Sequence, residues 1–182
     1  MRTRLAAVVF LLAPLILAVP ARAAEAENTL ILELKDGKVE IELRPDLAPN
    51  HVKRIKELVR KGFYDGLTFH RVLPGFMAQT GDPKGDGTGG SGVTLKAEFN
   101  AEPHTRGAVS MARANSPDSA DSQFFIVFAD SRFLDNKYTV WGRVAKGMEF
   151  VDKIKMGSQG NNGSVSNPDR IVSIKVAADV KK

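Results

Sequence analysis

Two stretches of the 182-residue chain place polar groups in apolar surroundings at strand spacing. Phe69-His-Arg-Val-Leu-Pro-Gly-Phe-Met-Ala-Gln-Thr-Gly-Asp82 sets one arginine among aromatic and aliphatic residues, with a glutamine eight positions later. Ser122-Gln-Phe-Phe-Ile-Val127 opens an otherwise apolar run with a second glutamine. A strand turns alternate side chains to opposite faces, so Met77 shares a face with Gln79, and Gln123 with Phe125. Each face then offers an apolar surface with an amide beside it. On the residues alone a second reading is equally open, in which Phe76, Met77 and Phe125 are core and the polar groups cap strand ends.

Other chemistries find less support. The absence of cysteine removes disulfides, thiolate nucleophiles and Cys-ligated metal sites together. Ser110, Ser119 and Ser122 are available, but none sits in a G-x-S-x-G elbow. His51, His70 and His104 are scattered without ligand spacing, and Asp82 and Asp86 lack the alternating acids and closing Glu of a calcium loop. A metal is therefore not expected. The glycine-rich stretch 81–92 lacks the G-x-x-x-x-G-K-[ST] order, and no strong amphipathic helix follows it, so it reads as a structural loop walling a groove. Asn162-Gly-Ser164 is a formal glycosylation sequon, discounted because the style of the chain is bacterial.

The elements that must position these residues follow from periodicity and turn signals. Residues 30–34 and 39–43 flank Asp36-Gly37 and predict a β-hairpin. Residues 45–62 predict the main helix, with Asp46 and Asn50 as candidate caps, Pro49 at a first helical position and Gly62 as the stop. Val52, Ile55, Leu58 and Val59 form its apolar face, and Lys53, Arg54, Lys56, Arg60 and Lys61 a solvated one. Short strands are expected at 68–73, 75–80, 108–113, 123–129, 139–144 and 171–176, with a second, short helix at 147–156. No repeat or linker divides the chain. One mainly β domain results, a barrel or sandwich with helices packed on it.

At F-H-R-V-L-P-G-F-M-A-Q-T-G-D, S-Q-F-F-I-V and the later L-D-N-K-Y-T-V-W-G-R-V, the sequence resembles the cyclophilins, a family of peptidyl-prolyl cis–trans isomerases. The likeness runs from the first hairpin to the last strand. It implies a closed eight-stranded antiparallel β-barrel capped by two α-helices, and an enzyme that uses no cofactor and forms no covalent intermediate. Arg71 matches the family's catalytic arginine, with Gln79 as its catalytic companion. Phe76, Met77 and Gln79 match the first pocket wall, and Gln123, Phe125 and Leu134 the remaining wall and floor. Ala112, Arg113 and Ala114 match the strand end where the family hydrogen-bonds substrate backbone. Phe133 and Tyr138 stand where many eukaryotic members have Trp and His, which implies weak cyclosporin binding. Arg113 replaces the more usual Asn, its contribution being expected through the backbone. Phe76 and Met77 are neighbours, so both reach the pocket only if Pro74-Gly75 makes the strand irregular.

The start of the chain carries a different signal. Met1-Arg-Thr-Arg4 is basic, residues 5–19 carry no polar side chain, and Ala21-Arg22-Ala23 has the A-x-A form of a cleavage site. The apolar run falls short of the about 18–20 residues of a membrane span. A secretory signal peptide at 1–23 is expected, followed by one isomerase domain at 24–182 located in the periplasm. The formal charge of +5 invites nucleic acid, but removing Arg2, Arg4 and Arg22 from 26 basic residues leaves 23 against 21 acidic. With no RNP, OB-type or helix-turn-helix signature, nucleic-acid binding is not expected. Expected partners are proline-containing segments of folding exported proteins, met by a monomer without stable membrane association. The alternative is a proline-peptide binding module or holdase with incidental isomerase activity. Arg71 speaks against it, because a pure binder needs the pocket but not that charge.

Overall fold

The structure, a computed structural model, describes residues 18–180; residues 1–17 of the expected leader lie outside them. Strands β1 (Thr29–Leu34) and β2 (Gly37–Leu43) form the expected hairpin, and their alternation turns Leu30, Leu32, Leu34, Val39, Ile41 and Leu43 into the core. The loop is shifted by one residue from the expected Asp36-Gly37. It consists of Lys35 and Asp36, and Gly37 already pairs with Leu34 inside the ladder. Packing explains the glycine: a Cβ there would stand 2.6 Å from the Phe150 ring.

The main helix begins after a helix, α1 (Ala18–Glu27), that overlaps the end of the expected leader. This main helix, α2 (Pro49–Arg60), is shorter than the expected 45–62 and buries His51, Val52, Ile55, Leu58 and Val59. Pro49 opens it, where a fixed φ and a missing N–H cost nothing. Neither expected side chain caps it. Asp46 accepts from Arg44 Nε at 2.9 Å, while the Asn50 and His51 N–H groups donate to the Glu98 carboxylate at 3.1 and 3.0 Å. An anion delivered by a distant loop thus sits at the positive end of the helix dipole. On the basic face, Lys56 and Arg60 both pair with Glu27, and Arg60 also with Asp179.

Strands β3 (Arg71–Leu73), β4 (Met77–Thr80), β5 (Ala108–Met111), β6 (Phe124–Val127), β7 (Val140–Lys146) and β8 (Ser173–Val176) complete one antiparallel sheet. Its order is β3-β4-β6-β5-β7-β2-β1-β8. The eight strands match expectation, but the closed barrel does not form. The terminal strands β3 and β8 do not pair, and the sheet is an open half-barrel. The gap is crossed by an irregular segment that meets the 68–73 region through the isolated bridges Thr68↔Arg170 and Arg71↔Ser164 and through scattered backbone hydrogen bonds rather than a ladder. Asn162 and Asn167, at φ of 48° and 51°, turn this segment out of extended conformation, so it cannot serve as a ladder. The helix count also differs from the expected two: three lie among the described residues, and α3 (Met148–Val151) is a single turn rather than 147–156.

The central strands β4, β5 and β6 are buried on both faces. Ala78, Val109, Met111, Phe124 and Ile126 point into the main core with Trp141. Met77, Ala108, Phe125 and Val127 point the other way and form a second apolar cluster with Leu134. Each large side chain fully withdrawn from water stabilises by about 1.5–3 kcal/mol. The second cluster is the floor on which the site is built.

Candidate active site

Register brings the polar groups together. Arg71 opens β3 opposite Gln79 of β4, and Gln79 in turn faces Phe125 of β6. Arg71 Nη1 donates to Gln79 Oε1 at 3.1 Å, and Gln79 Nε2 donates to Gln123 Oε1 at 2.9 Å. Gln123 Nε2 donates to the carbonyls of Gly87 and Gly89 at 3.0 and 2.8 Å. A continuous relay therefore links the arginine to the glycine-rich loop. The loop is shaped by the Asp82 carboxylate, which accepts from the N–H groups of Lys84, Asp86 and Gly87.

On its other side Arg71 meets Asn162. Arg71 Nε donates to the Asn162 carbonyl at 3.0 Å, and Nη2 to Asn162 Oδ1 at 3.0 Å. Every acceptor on this guanidinium is a neutral amide oxygen. Burial lowers the Arg71 pKa from the ordinary arginine value, and the Tyr138 phenol raises it. The group still carries its proton at neutral pH, because arginine starts so far above it.

Beside Arg71 lies a cavity of about 280 Å³. Met77, Phe125 and Leu134 are buried in its floor, and Phe76 and Tyr138 pack against them. Phe133 stands at the rim with 63% of its surface exposed, its ring 5.4 Å from that of Phe76. Both Phe76 and Met77 reach the cavity because β4 begins only at Met77; Phe76 closes a turn with its N–H on the Leu73 carbonyl at 3.0 Å, and Gly75 supplies φ 70°. The irregularity expected at Pro74-Gly75 is there.

Ala112 and Arg113, just past β5, also line this cavity. The Ala112 N–H donates to the Gln123 carbonyl at 2.9 Å, whereas the peptide N–H and C=O of Arg113 find no partner among the described residues. Ala114 and Gln123 do not line the Arg71 cavity; they line an adjoining one of about 290 Å³, walled by the glycine-rich loop at Gly87–Gly90. The side chain of Arg113 is engaged within the fold itself. Its guanidinium donates to the carbonyls of Lys137, Ala114 and Asn115 and lies 4.6 Å from the Tyr138 ring centre, stapling the 112–115 segment to the opposite wall.

Two groups at the site escaped sequence reasoning. One is Asn162, whose interest lies only in its position against Arg71. The other is beneath Phe125, where His104 stacks at 6.1 Å and bonds Ser110 Oγ at 3.0 Å and Asp135 Oδ1 at 3.1 Å. The trio has the residue types of a serine hydrolase, but Ser110 and His104 are fully buried and no reactant can reach them. It fixes the pocket floor instead. Burial lowers the His104 pKa, opposed by Asp135, and burial likewise lowers that of His70. Among the described residues no three His, Asp or Glu side chains gather as metal ligands.

What this arrangement can do is hold an apolar ring and present a cation beside it, with a free peptide edge along one wall. Residues 29–176 match the family described as cyclophilin type peptidyl-prolyl cis-trans isomerase. A probable peptidyl-prolyl cis-trans isomerase of Brucella suis is 54% identical over 99% of this chain and 98% of its own. Peptidyl-prolyl cis-trans isomerase B of Bacillus subtilis is 50% identical over 68% of this chain and 88% of its own. Among solved structures, the cyclophilin AquaCyp293 of Hirschia baltica superposes with TM-score 0.76 at 32% identity, covering 86% of this chain and 76% of that one. A Cryptosporidium parvum cyclophilin type isomerase, crystallised in the presence of the dipeptide Ala-Pro, gives TM-score 0.74 at 26% identity, covering 81% and 98%.

Proposed function

The chain belongs to the cyclophilin family of peptidyl-prolyl cis–trans isomerases, and from that premise we propose how its own residues carry the reaction and where it works. An X–Pro bond prefers trans by only about 0.5–1 kcal/mol. Rotation about it faces a barrier of about 18–20 kcal/mol, because twisting breaks amide resonance. No bond is made or cut. As the amide twists, the prolyl nitrogen regains its lone pair and becomes an acceptor. Arg71 donates to that nitrogen, an interaction stronger in the twisted state than in either ground state, which is what lowers the barrier.

One hydrogen bond to a charged group contributes about 1.5–3 kcal/mol, roughly 10–150-fold in rate. The remainder falls to the pocket. Met77, Phe125 and Leu134 hold the proline ring and exclude water, with Phe76, Phe133 and Tyr138 around them. Gln79 and the free peptide groups of Arg113 hold one side of the substrate while the other rotates. The adjoining cavity, with Ala114 and Gln123, takes residues preceding the proline.

The observation that carries this reading is a guanidinium beside an apolar cavity, bound only by neutral oxygens. Its test is Arg71→Ala. Isomer exchange of an Ala-Pro peptide followed by NMR should lose most of its catalysed rate, with fold and much of the peptide affinity kept. Near-native exchange by the folded variant would overturn the assignment.

The place of work is periplasmic, with exported proteins as clients. The basic start, apolar run and Ala21-Arg22-Ala23 support this. The tethered part of α1 lies beyond that motif, since it is Glu27 that meets Lys56 and Arg60. N-terminal sequencing of the protein from the periplasmic fraction should begin at residue 24 or 25; an intact Met1 there would sink the idea. The protein works as a monomer, without nucleic acid or stable membrane attachment. The internal pairing of α2's Lys56 and Arg60 supports that reading, to be tested by light scattering and salt-titrated filter binding.

A further inference from the structure

We infer that Asn162 is a positioning residue for isomerisation, fixing the Arg71 guanidinium in plane while leaving its charge unspent. The inference rests on the assignment of Arg71 as the catalytic group.

Three of the five guanidinium donors are taken, one each from Nε, Nη1 and Nη2. Asn162 takes two of them, one with its backbone carbonyl and one with Oδ1. Gln79 takes the third from the other side. A planar fork gripped on two sides cannot swing, and two N–H groups remain for a substrate. Among the described residues Arg71 has no salt bridge, whereas Arg44, Arg60, Arg106 and Arg132 each lie against a carboxylate. A carboxylate would hold the fork as firmly, but it would neutralise the charge that the twisted prolyl nitrogen needs. An amide oxygen holds without neutralising.

The chain invests in delivering this residue. Asn162 adopts φ 48°, a left-handed conformation that Asn tolerates better than most side chains. Gly163 follows at φ 78°, packed so close to β3 that a Cβ would stand 2.7 Å from Leu73 Cγ. The Val72 N–H donates to the Gly163 carbonyl at 2.8 Å, and the Gly157 N–H to the Val72 carbonyl at 2.9 Å. The segment is thus pinned to the residue next to Arg71, at the open edge of the sheet. A formal sequon with no other role here, Asn162-Gly-Ser164, becomes part of the site.

The test uses Asn162→Gly and Asn162→Asp, each also combined with Arg71→Ala, with peptide exchange and peptide affinity measured separately. Glycine keeps the left-handed backbone and its carbonyl and removes only Oδ1. Aspartate keeps size and conformation and replaces a neutral acceptor with an anion. Both should lower exchange by about tenfold, the low end for a hydrogen bond to a charged group. Peptide affinity should stay within about twofold, far below the tenfold that 1.4 kcal/mol represents. In the Arg71→Ala background neither substitution should change the rate further. Native exchange by either single variant overturns the inference while leaving Arg71 in place. An equal loss in the Arg71→Ala background also overturns it, because the effect would then not pass through the guanidinium. Native exchange by Arg71→Ala alone overturns both assignments.

Discussion

At the scale of the residue, the proposed chemistry turns on one cation that has no carboxylate partner among the described residues. Arg71 is the guanidinium of the site, and amide oxygens rather than carboxylates hold it. No histidine or carboxylate lines its cavity among the described residues. The nearest histidines, His70 and His104, are both lowered by burial and are therefore already neutral at pH 7. The rate on an uncharged Ala-Pro peptide should accordingly be flat from about pH 6 to 8. Exchange measured across that range checks it, and a steep slope would assign a proton-transfer role to one of these histidines. Arg71 and Gln79 were noticeable in the sequence as polar groups among apolar residues, and the family likeness is what gave them a role. Asn162 was not noticeable, because its partner lies 91 positions away and nothing in its local sequence points there.

At the scale of the element, the strands were easier to read than their ends. Apolar runs located all eight, but several came out shorter than expected because each strand stops where its neighbour stops. Strand β3 is limited to Arg71–Leu73 by the three pairs it makes with β4. The helix cap is the clearest case of an element completed from elsewhere. Glu98 accepts from the backbone of Asn50 and His51 and from the Asn50 amide, and its Oε2 lies 2.7 Å from His51 Nδ1. Glu98→Ala should destabilise the fold by about 1–3 kcal/mol, through a lost cap and a buried imidazole left without its partner. Urea unfolding checks this, with Glu98→Gln expected to recover part of the loss. A local reading chose Asp46 because it stands beside the helix; the folded chain commits Asp46 to Arg44.

At the scale of the whole molecule, stability should depend on acid through a few buried groups. His70 and His104 have pKa values below the ordinary 6.5 because burial disfavours their charged forms. Below that value the unfolded chain binds protons that the folded chain does not, so stability falls as pH falls through about 6.5 and continues down to the folded pKa values. Asp135 acts in the same direction over a lower range. The His104 backbone N–H and the Arg132 guanidinium hold its pKa down to about 2, so its stabilisation is present above 3.8 and lost as pH drops toward 2. Thermal unfolding between pH 8 and 3 should show a midpoint that declines from about pH 6.5 downward. A midpoint unchanged down to pH 5 would mean that the histidines are not held neutral. His104→Gln should flatten the upper part of this decline.

Periodicity and turn signals were enough to locate the strands and the main helix, whereas the pocket residues and the role of the arginine were legible only through the family likeness, because apolar strand faces alone fit a core equally well. The sequence by itself also carried that likeness. Four features depended on contacts between distant segments. Tertiary structure left the sheet open, because positive-φ asparagines keep the closing segment from pairing as a strand. It capped α2 with Glu98 and bound Arg113 to the far wall, because hydrogen bonds between distant segments leave no mark on local sequence. And it placed Asn162 against Arg71, so that the charge the sequence supplies is oriented by a residue only folding brings near.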